Sequence, residues 1–178
     1  MRKTKMKTIL SKILMLGILA AALASPALTL EDLRNMPKLT PKKFARQFAE
    51  FRYEFHGEVQ APEDFLAREA GDCDDFAILG ALVLGEKGFH PRLISVRMRN
   101  ISHVVCYFPE TRSYIDYNDR AYLFTATTSS DGTLGDIAKK VSKTFGASWS
   151  SVTEFSYADG EKLLVARLEN PRFLVAAR

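Results

Sequence analysis

The segment that most constrains the fold is a helix that the sequence predicts from Asp72 to about Gly85. Asp72 is a typical N-cap residue, because its side chain can accept hydrogen bonds from the free N–H groups of the first helical turn. The residues that follow are apolar on nearly every side of the helix: Phe76, Ala77, Ile78, Leu79, Ala81, Leu82, Val83 and Leu84. Such a helix has to be buried on most sides, so other elements must pack around it.

A second helix is predicted to begin at Thr40, an N-cap residue followed by proline at the first helical position. Four phenylalanines follow at spacings of four, three and four: Phe44, Phe48, Phe51 and Phe55. This spacing is typical of one face of an amphipathic helix, so we expect all four rings in the core. The preceding residues 25–39 are predicted to be an irregular lead-in.

The chain after residue 90 is predicted to be mainly β-structure. The predicted strands are 92–98, 102–108, 113–117 and 121–125, followed by a helix from Gly132 to about Phe145 and a hairpin of strands 152–157 and 163–168. Strands joined by short turns pair antiparallel. Helices followed by a sheet predict the α+β class, with the Asp72–Gly85 helix packed on the sheet.

The first 24 residues have the pattern of a secretory signal peptide. Five basic residues precede an apolar run at 13–24 that ends in Ala22-Leu23-Ala24, which is the basic, apolar and small-residue order of such signals. An anchor helix is the alternative, but the run is short of the roughly 20 residues that span a membrane. The sequence therefore predicts an exported protein, periplasmic or secreted, with no stable membrane span after cleavage and one domain over residues 40–178.

Removal of that signal changes the charge of the chain. The full sequence has 25 basic and 21 acidic residues, and the five basic residues of the signal leave 20 against 21. No cluster of lysine and arginine with interleaved aromatics remains, so nucleic acid is not an expected partner. The sequence gives no indication of the oligomeric state.

Three residues of the predicted elements can form a nucleophilic site. Cys73 follows the N-cap, where the partial positive charge of a helix N-terminus supports a thiolate and the Cys73 N–H can stabilise an oxyanion. His103 begins a predicted strand and Asp116 ends the next one, so antiparallel pairing brings them together. A thiol, a base and a carboxylate that orients the base form a catalytic triad.

Export also permits a disulfide between Cys73 and Cys106, the two cysteines of the chain. On a strand, His103, Val105 and Tyr107 share one face, whereas Val104, Cys106 and Phe108 share the other. If His103 faces Cys73, then Cys106 points away and belongs to the core. Strand alternation therefore argues against the disulfide. A non-catalytic protein whose site is closed by a Cys73–Cys106 disulfide stays an alternative.

The motifs resemble those of the transglutaminase-like superfamily of papain-fold cysteine enzymes. The resemblance rests on Gly71-Asp72-Cys73-Asp74-Asp75-Phe76-Ala77, Gly88-Phe89, His103-Val104-Val105 and Tyr114-Ile115-Asp116, and covers roughly residues 40–125. The form of the cysteine motif is most similar to the bacterial transglutaminase-like cysteine proteinases. This resemblance implies Cys73 as nucleophile, His103 as general base and acid, and Asp116 as the orienting residue.

The resemblance further implies that acidic residues beside the cysteine bind calcium, which here are Asp72, Asp74 and Asp75. Carboxylates crowded around a thiol disfavour the thiolate, and a hard cation with oxygen ligands would offset this. Ordinary helix capping is the alternative for the same residues. The chemistry itself requires no cofactor. Gln60 is either an oxyanion donor, as a glutamine is in papain-like enzymes, or a surface residue.

These observations predict an exported cysteine hydrolase that cleaves amide bonds of a protein or peptide through a thioester on Cys73. Transfer of the acyl group to an amine, as in a protein-glutamine acyltransferase, is one alternative. A non-catalytic binding module with the same fold is the other.

Overall fold

The computed structural model describes residues 27–121 and 126–174. The predicted signal peptide and most of the predicted strand 121–125 lie outside these residues. The helices are α1 (Leu30–Asn35), α2 (Pro41–Arg46), α3 (Pro62–Arg68), α4 (Cys73–Glu86), α5 (Leu134–Thr144) and α6 (Pro171–Leu174). The strands are β1 (Arg52–Tyr53), β2 (Ala70–Gly71), β3 (Arg92–Met98), β4 (Ser102–Phe108), β5 (Ser113–Ile115), β6 (Thr128–Ser129), β7 (Trp149–Ala158) and β8 (Glu161–Glu169).

The predicted phenylalanine helix is shorter than expected. Helix α2 starts at the predicted Thr40 cap but ends at Arg46, after which tight turns carry the chain on, with Phe51 N–H donating to Phe48 O at 3.0 Å. Phe44, Phe48 and Phe51 are buried, whereas Phe55 is 74% exposed. Phe55 misses the core because Arg52 and Tyr53 leave the turn as strand β1, which pairs in parallel with β2.

The lead-in is also more ordered than predicted. Thr29 and Asp32 form a capping box that starts α1, because each side chain accepts a hydrogen bond from the other's backbone N–H. Leu30 and Leu33 of this helix are buried in the core around α4. Residues before the predicted domain thus contribute to its packing.

Helix α4 is buried on most sides, as its composition predicts, although Leu82 is 39% exposed. Phe76, Leu79 and Val83 are at most 1% exposed, and the ring of Phe76 packs against that of Phe48 with centroids 5.2 Å apart. A Cβ at Gly80 would lie 2.6 Å from Ile115 Cδ1. The absence of a side chain there lets the helix pack closely on the sheet.

The sheet has six strands in the order β6-β5-β4-β3-β7-β8, and every pair is antiparallel. Helices lie before and within the series of strands, which is the predicted α+β class. The β7–β8 hairpin turns at Asp159 and Gly160, where φ is +53° and +81°, as the sequence predicts.

Side chains of β4 alternate between two cores. Val104, Cys106 and Phe108 belong to the cluster around α4, whereas Val105 and Tyr107 pack with Ile137 and Val141 of α5. The alternation is as predicted. Cys106, however, faces α4 rather than pointing away from the helix that carries Cys73.

Strand β5 is shorter than the predicted 113–117. It ends at Ile115, and Asp116 caps a 3-10 helix at Tyr117–Asp119 by accepting a hydrogen bond from Asn118 N–H. The strand that pairs with β5 on its outer side is Thr128–Ser129. Among the residues that the structure describes, no helix is both long and apolar enough to cross a membrane.

Candidate active site

The nucleophile candidate, Cys73, is the first residue of α4. Two residues earlier, close packing requires a glycine at Gly71, since a Cβ there would lie 2.6 Å from both the Asp75 carboxylate and the Phe65 ring. The Cys73 thiol is half-buried and lies 3.6 Å from Asp74 Oδ1. As the first residue of the helix, Cys73 has a backbone N–H with no intrahelical acceptor.

His103 and Asp116 form a buried pair beside this helix start. His103 Nε2 lies 2.8 Å from Asp116 Oδ1, and the two residues are only 4% and 2% exposed. The bond holds the ring through Nε2 and leaves Nδ1 for the thiol. Phe145, at the end of α5, packs edge-on against the imidazole with centroids 4.9 Å apart.

The surroundings of His103 favour its charged form. Burial lowers the pKa of His103, but the Asp116 carboxylate and the Cys73 sulfur act in the opposite direction and raise it to about 10. A protonated imidazole in contact with the thiol is the partner that stabilises a thiolate. The structure therefore brings the three predicted residues together in an arrangement suited to nucleophilic chemistry.

Both cysteines are free. Cys106 pairs across the sheet with Ile115, which packs against Gly80. Gly80 is seven residues after Cys73 on α4, which corresponds to about 10 Å along the axis. The sulfurs are thus kept apart by their positions along α4, and not by opposite faces of the sheet as the alternation suggested.

Asp75 supports the site as a structural residue. Its Oδ2 accepts a hydrogen bond from Asp72 N–H at 3.0 Å and closes the capping box of α4. Its Oδ1 accepts from Gln60 N–H at 2.7 Å. Asp75 is 3% exposed and lies outside the group of Asp72, Cys73 and Asp74 whose ligand atoms come within 4.8 Å of one another. Its position favours the capping role over the predicted role as a metal ligand.

Gln60 is tied to the same carboxylate. Its side-chain Nε2 donates to Ala70 O at 3.1 Å and to Asp75 Oδ2 at 2.8 Å. Both amide hydrogens are therefore used, and neither is left for an oxyanion. The arrangement favours a role in holding the loop before α3 against the start of α4.

Asp72 and Asp74 are the acidic residues that could hold a cation. Ligand atoms of Asp72, Cys73 and Asp74 lie within 4.8 Å of one another, and burial raises the pKa of Asp72. A cation would offset the cost of this buried negative charge. The two carboxylates fit a calcium site only in part. Both Asp72 oxygens already accept hydrogen bonds, from His56 N–H and Asp74 N–H, and Asp74 Oδ2 pairs with Lys162. Calcium takes six to eight oxygen ligands, so the others would be backbone oxygens or water.

Lys162 was not predicted at the site. Its Nζ contacts Asp74 Oδ2, which brings strand β8 to the residue beside the nucleophile. No local pattern in the sequence signals this contact, since the two residues are 88 positions apart.

Fold and site together define a cysteine–histidine–aspartate arrangement on an α+β framework. Residues 28–109 match the model of the transglutaminase-like domain family, so this part of the chain is similar to that family. The match ends before Asp116 and the β7–β8 hairpin. A search among curated proteins gives no match.

Similar solved structures are those of LapG from Legionella pneumophila. The calcium-bound form is 19% identical, with 80% of this chain and 77% of that chain covered and a TM-score of 0.48. The EGTA-treated form is 18% identical with the same coverage and TM-score. Another LapG structure is 21% identical over 66% of this chain and 80% of that chain, with a TM-score of 0.43.

Proposed function

We propose that this protein is a cysteine peptidase that cleaves amide bonds through a thioester on Cys73. The observation that carries the proposal is the buried 2.8 Å pair of His103 and Asp116 beside the start of α4, where the Cys73 sulfur contributes to the raised pKa of His103. Cys73 is the nucleophile, His103 the general base and acid, and Asp116 the residue that orients the imidazole.

The first half of the reaction forms the thioester. The Cys73 thiolate attacks the substrate carbonyl carbon, and the negative charge passes to the carbonyl oxygen, which the Cys73 N–H at the helix start stabilises. The C–N bond then breaks, and His103 gives its proton to the leaving amine. Asp116 stays bonded to the His103 ring in both of its protonation states and does not itself take up the proton.

The second half releases the acid. Water enters where the amine left, His103 takes one of its protons, and the resulting hydroxide attacks the thioester carbon. The C–S bond breaks, which returns the Cys73 thiolate and the protonated His103. An amine in place of water would give acyl transfer by the same steps.

The experiment that tests this function follows the fate of the acyl group. The purified protein is incubated with unfolded casein in water enriched in ¹⁸O, and the products are analysed by mass spectrometry. Hydrolysis gives new termini with ¹⁸O in the new carboxylate, whereas transfer gives cross-linked peptides and no such label. Cys73→Ala serves as the control, and the absence of any new terminus that depends on Cys73 refutes the proposal.

We also propose that residues 1–24 are a cleaved export signal and that the protein acts in the periplasm or outside the cell. The proposal is supported by the charge and apolar pattern of this segment. N-terminal sequencing of the protein from its native cell tests it. A chain that still begins at Met1 contradicts it.

A calcium ion, if held at the site, would be bound by Asp72 and Asp74, and not by Asp75. When bound, it would supply positive charge beside the thiol. Thermal unfolding with calcium or a chelator tests this assignment. We expect calcium to raise the melting temperature and Asp74→Asn to abolish that rise; equal melting temperatures in calcium and chelator would contradict it.

A further inference from the structure

A groove of about 670 Å³ lies between α4 and the β7–β8 hairpin. This volume lies within the range of roughly 300–1,000 Å³ that is typical of ligand pockets. The walls are mostly apolar and come from α4 on one side and the β7–β8 hairpin on the other. The residues used below are Ile78, Ala81, Leu82, Phe155, Tyr157 and Val165.

The wall formed by α4 leads to the nucleophile. Asp74, Ile78 and Leu82 succeed one another at intervals of four, which places them on one side of the helix. Asp74 is the residue after Cys73, and its Oδ1 contacts the Cys73 thiol. One wall of the groove is therefore continuous with the active site.

The opposite wall reaches the same point. Lys162 of β8 pairs with Tyr157 of β7, and Tyr157 lines the groove. Lys162 Nζ contacts Asp74 Oδ2, so an ion pair bridges α4 and the hairpin beside Cys73. Asp74 is four residues before Ile78, about one helical turn from the groove.

The charges that line the groove are already neutralised. Arg92 binds Glu154 through two hydrogen bonds of 3.0 and 2.6 Å and donates a third to Gly132 O. A charged side chain in the groove would find no unpaired opposite charge on these two residues, whereas an apolar one would cover Leu82 and Val165, which are 39% and 60% exposed. The groove is thus suited to an apolar occupant.

We propose that this groove binds apolar side chains of the polypeptide segment next to the bond that Cys73 attacks. The inference rests on the proposed function and adds a substrate class to it. It also gives the β7–β8 hairpin, which lies outside the family match, a role as one wall of the substrate site.

The test uses three alkylating agents that share the same reactive iodoacetamide group. They are iodoacetamide itself, N-hexyl iodoacetamide and an N-carboxypentyl iodoacetamide of matched length. The rate of Cys73 labelling is measured by mass spectrometry. We expect the hexyl reagent to label Cys73 at least tenfold faster than the carboxypentyl reagent. Val165→Glu should reduce this ratio to about one, because it places a charge in the groove.

Leu163→Glu is the matched control. Leu163 is 51% exposed on the same strand but does not line the groove, so the ratio should stay as in the unsubstituted protein. A ratio near one in the unsubstituted protein, or an equal loss in both variants, overturns the inference. A dimer that only Val165→Glu dissociates in light scattering also overturns it, since the groove would then be a subunit contact.

The two proposals fail in different ways. If the proposed function is wrong, plain iodoacetamide labels Cys73 no faster than Cys106. If only the groove is wrong, plain iodoacetamide labels Cys73 rapidly but the substituent on the reagent makes no difference.

Discussion

The charge of Asp116 is expected to control how the stability of this protein depends on pH. Asp116→Asn keeps the shape of the side chain and an oxygen for the 2.8 Å bond to His103 Nε2, but removes the negative charge. In the unsubstituted protein the pKa of His103 is raised from 6.5 to about 10. In the variant, the Asp116 charge no longer opposes the effect of burial, so the pKa of His103 should fall.

The sign of the effect follows from proton linkage. A histidine whose pKa is higher in the folded state stabilises that state fully below pH 6.5, and this contribution is lost as the pH rises through about 10. The shift corresponds to at most ~5 kcal/mol, and loss of one partner of a buried pair typically costs about 3–5 kcal/mol. The stability difference between the two proteins should therefore be greatest near pH 6.5 and shrink towards pH 10.

The assay is urea unfolding at several pH values between 6 and 10. Asp136→Asn is the control, because Asp136 forms its 2.8 Å ion pair with a lysine, Lys140, instead of a histidine. Its stability difference from the unsubstituted protein should not follow the titration of His103. If the difference in unfolding free energy between Asp116→Asn and the unsubstituted protein is constant with pH, the coupling of Asp116 to a charged His103 is refuted.

Two further substitutions test the packing around the site. Gly71→Ala should destabilise the protein by about 1–3 kcal/mol in urea unfolding, since overpacking costs that much and the new Cβ would clash with Phe65. Gly57→Ala is the control, because a Cβ at Gly57 meets nothing within 4 Å and should change stability by less than about 0.5 kcal/mol. Equal effects of the two substitutions would contradict the close packing at Gly71. Cys106→Ala should lower stability by about 1 kcal/mol through the lost buried sulfur and leave the labelling rate of Cys73 unchanged; a changed labelling rate would place Cys106 in the site.

The local features of the site could be predicted from the sequence. Capping by Asp72, the position of Cys73 at the helix start and the apolar α4 each depend on neighbouring residues, and local hydrogen bonding and burial decide them. The antiparallel pairing of β4 and β5 also followed from their spacing. These features place Cys73, His103 and Asp116 in one region of the fold.

Features that depend on tertiary contacts could not be predicted. Phe55 follows the helical spacing, but pairing of β1 with β2 ends the helical path before it. The face of the sheet that Cys106 occupies depends on which helix covers it, which alternation alone does not reveal. The contact between Lys162 and Asp74 joins residues 88 positions apart. The bonds of Gln60 to Asp75 depend on how the loop before α3 folds against the start of α4, which no local pattern indicates.

Activation of Cys73 by His103 is tested most directly by the rate at which iodoacetamide labels Cys73 and Cys106 in the folded protein at pH 7, measured by mass spectrometry with and without His103→Ala. We expect rapid labelling of Cys73, slow labelling of the buried Cys106, and a marked loss of the Cys73 rate in His103→Ala. Equal slow labelling of both cysteines, unaffected by His103→Ala, would contradict a nucleophile activated by His103.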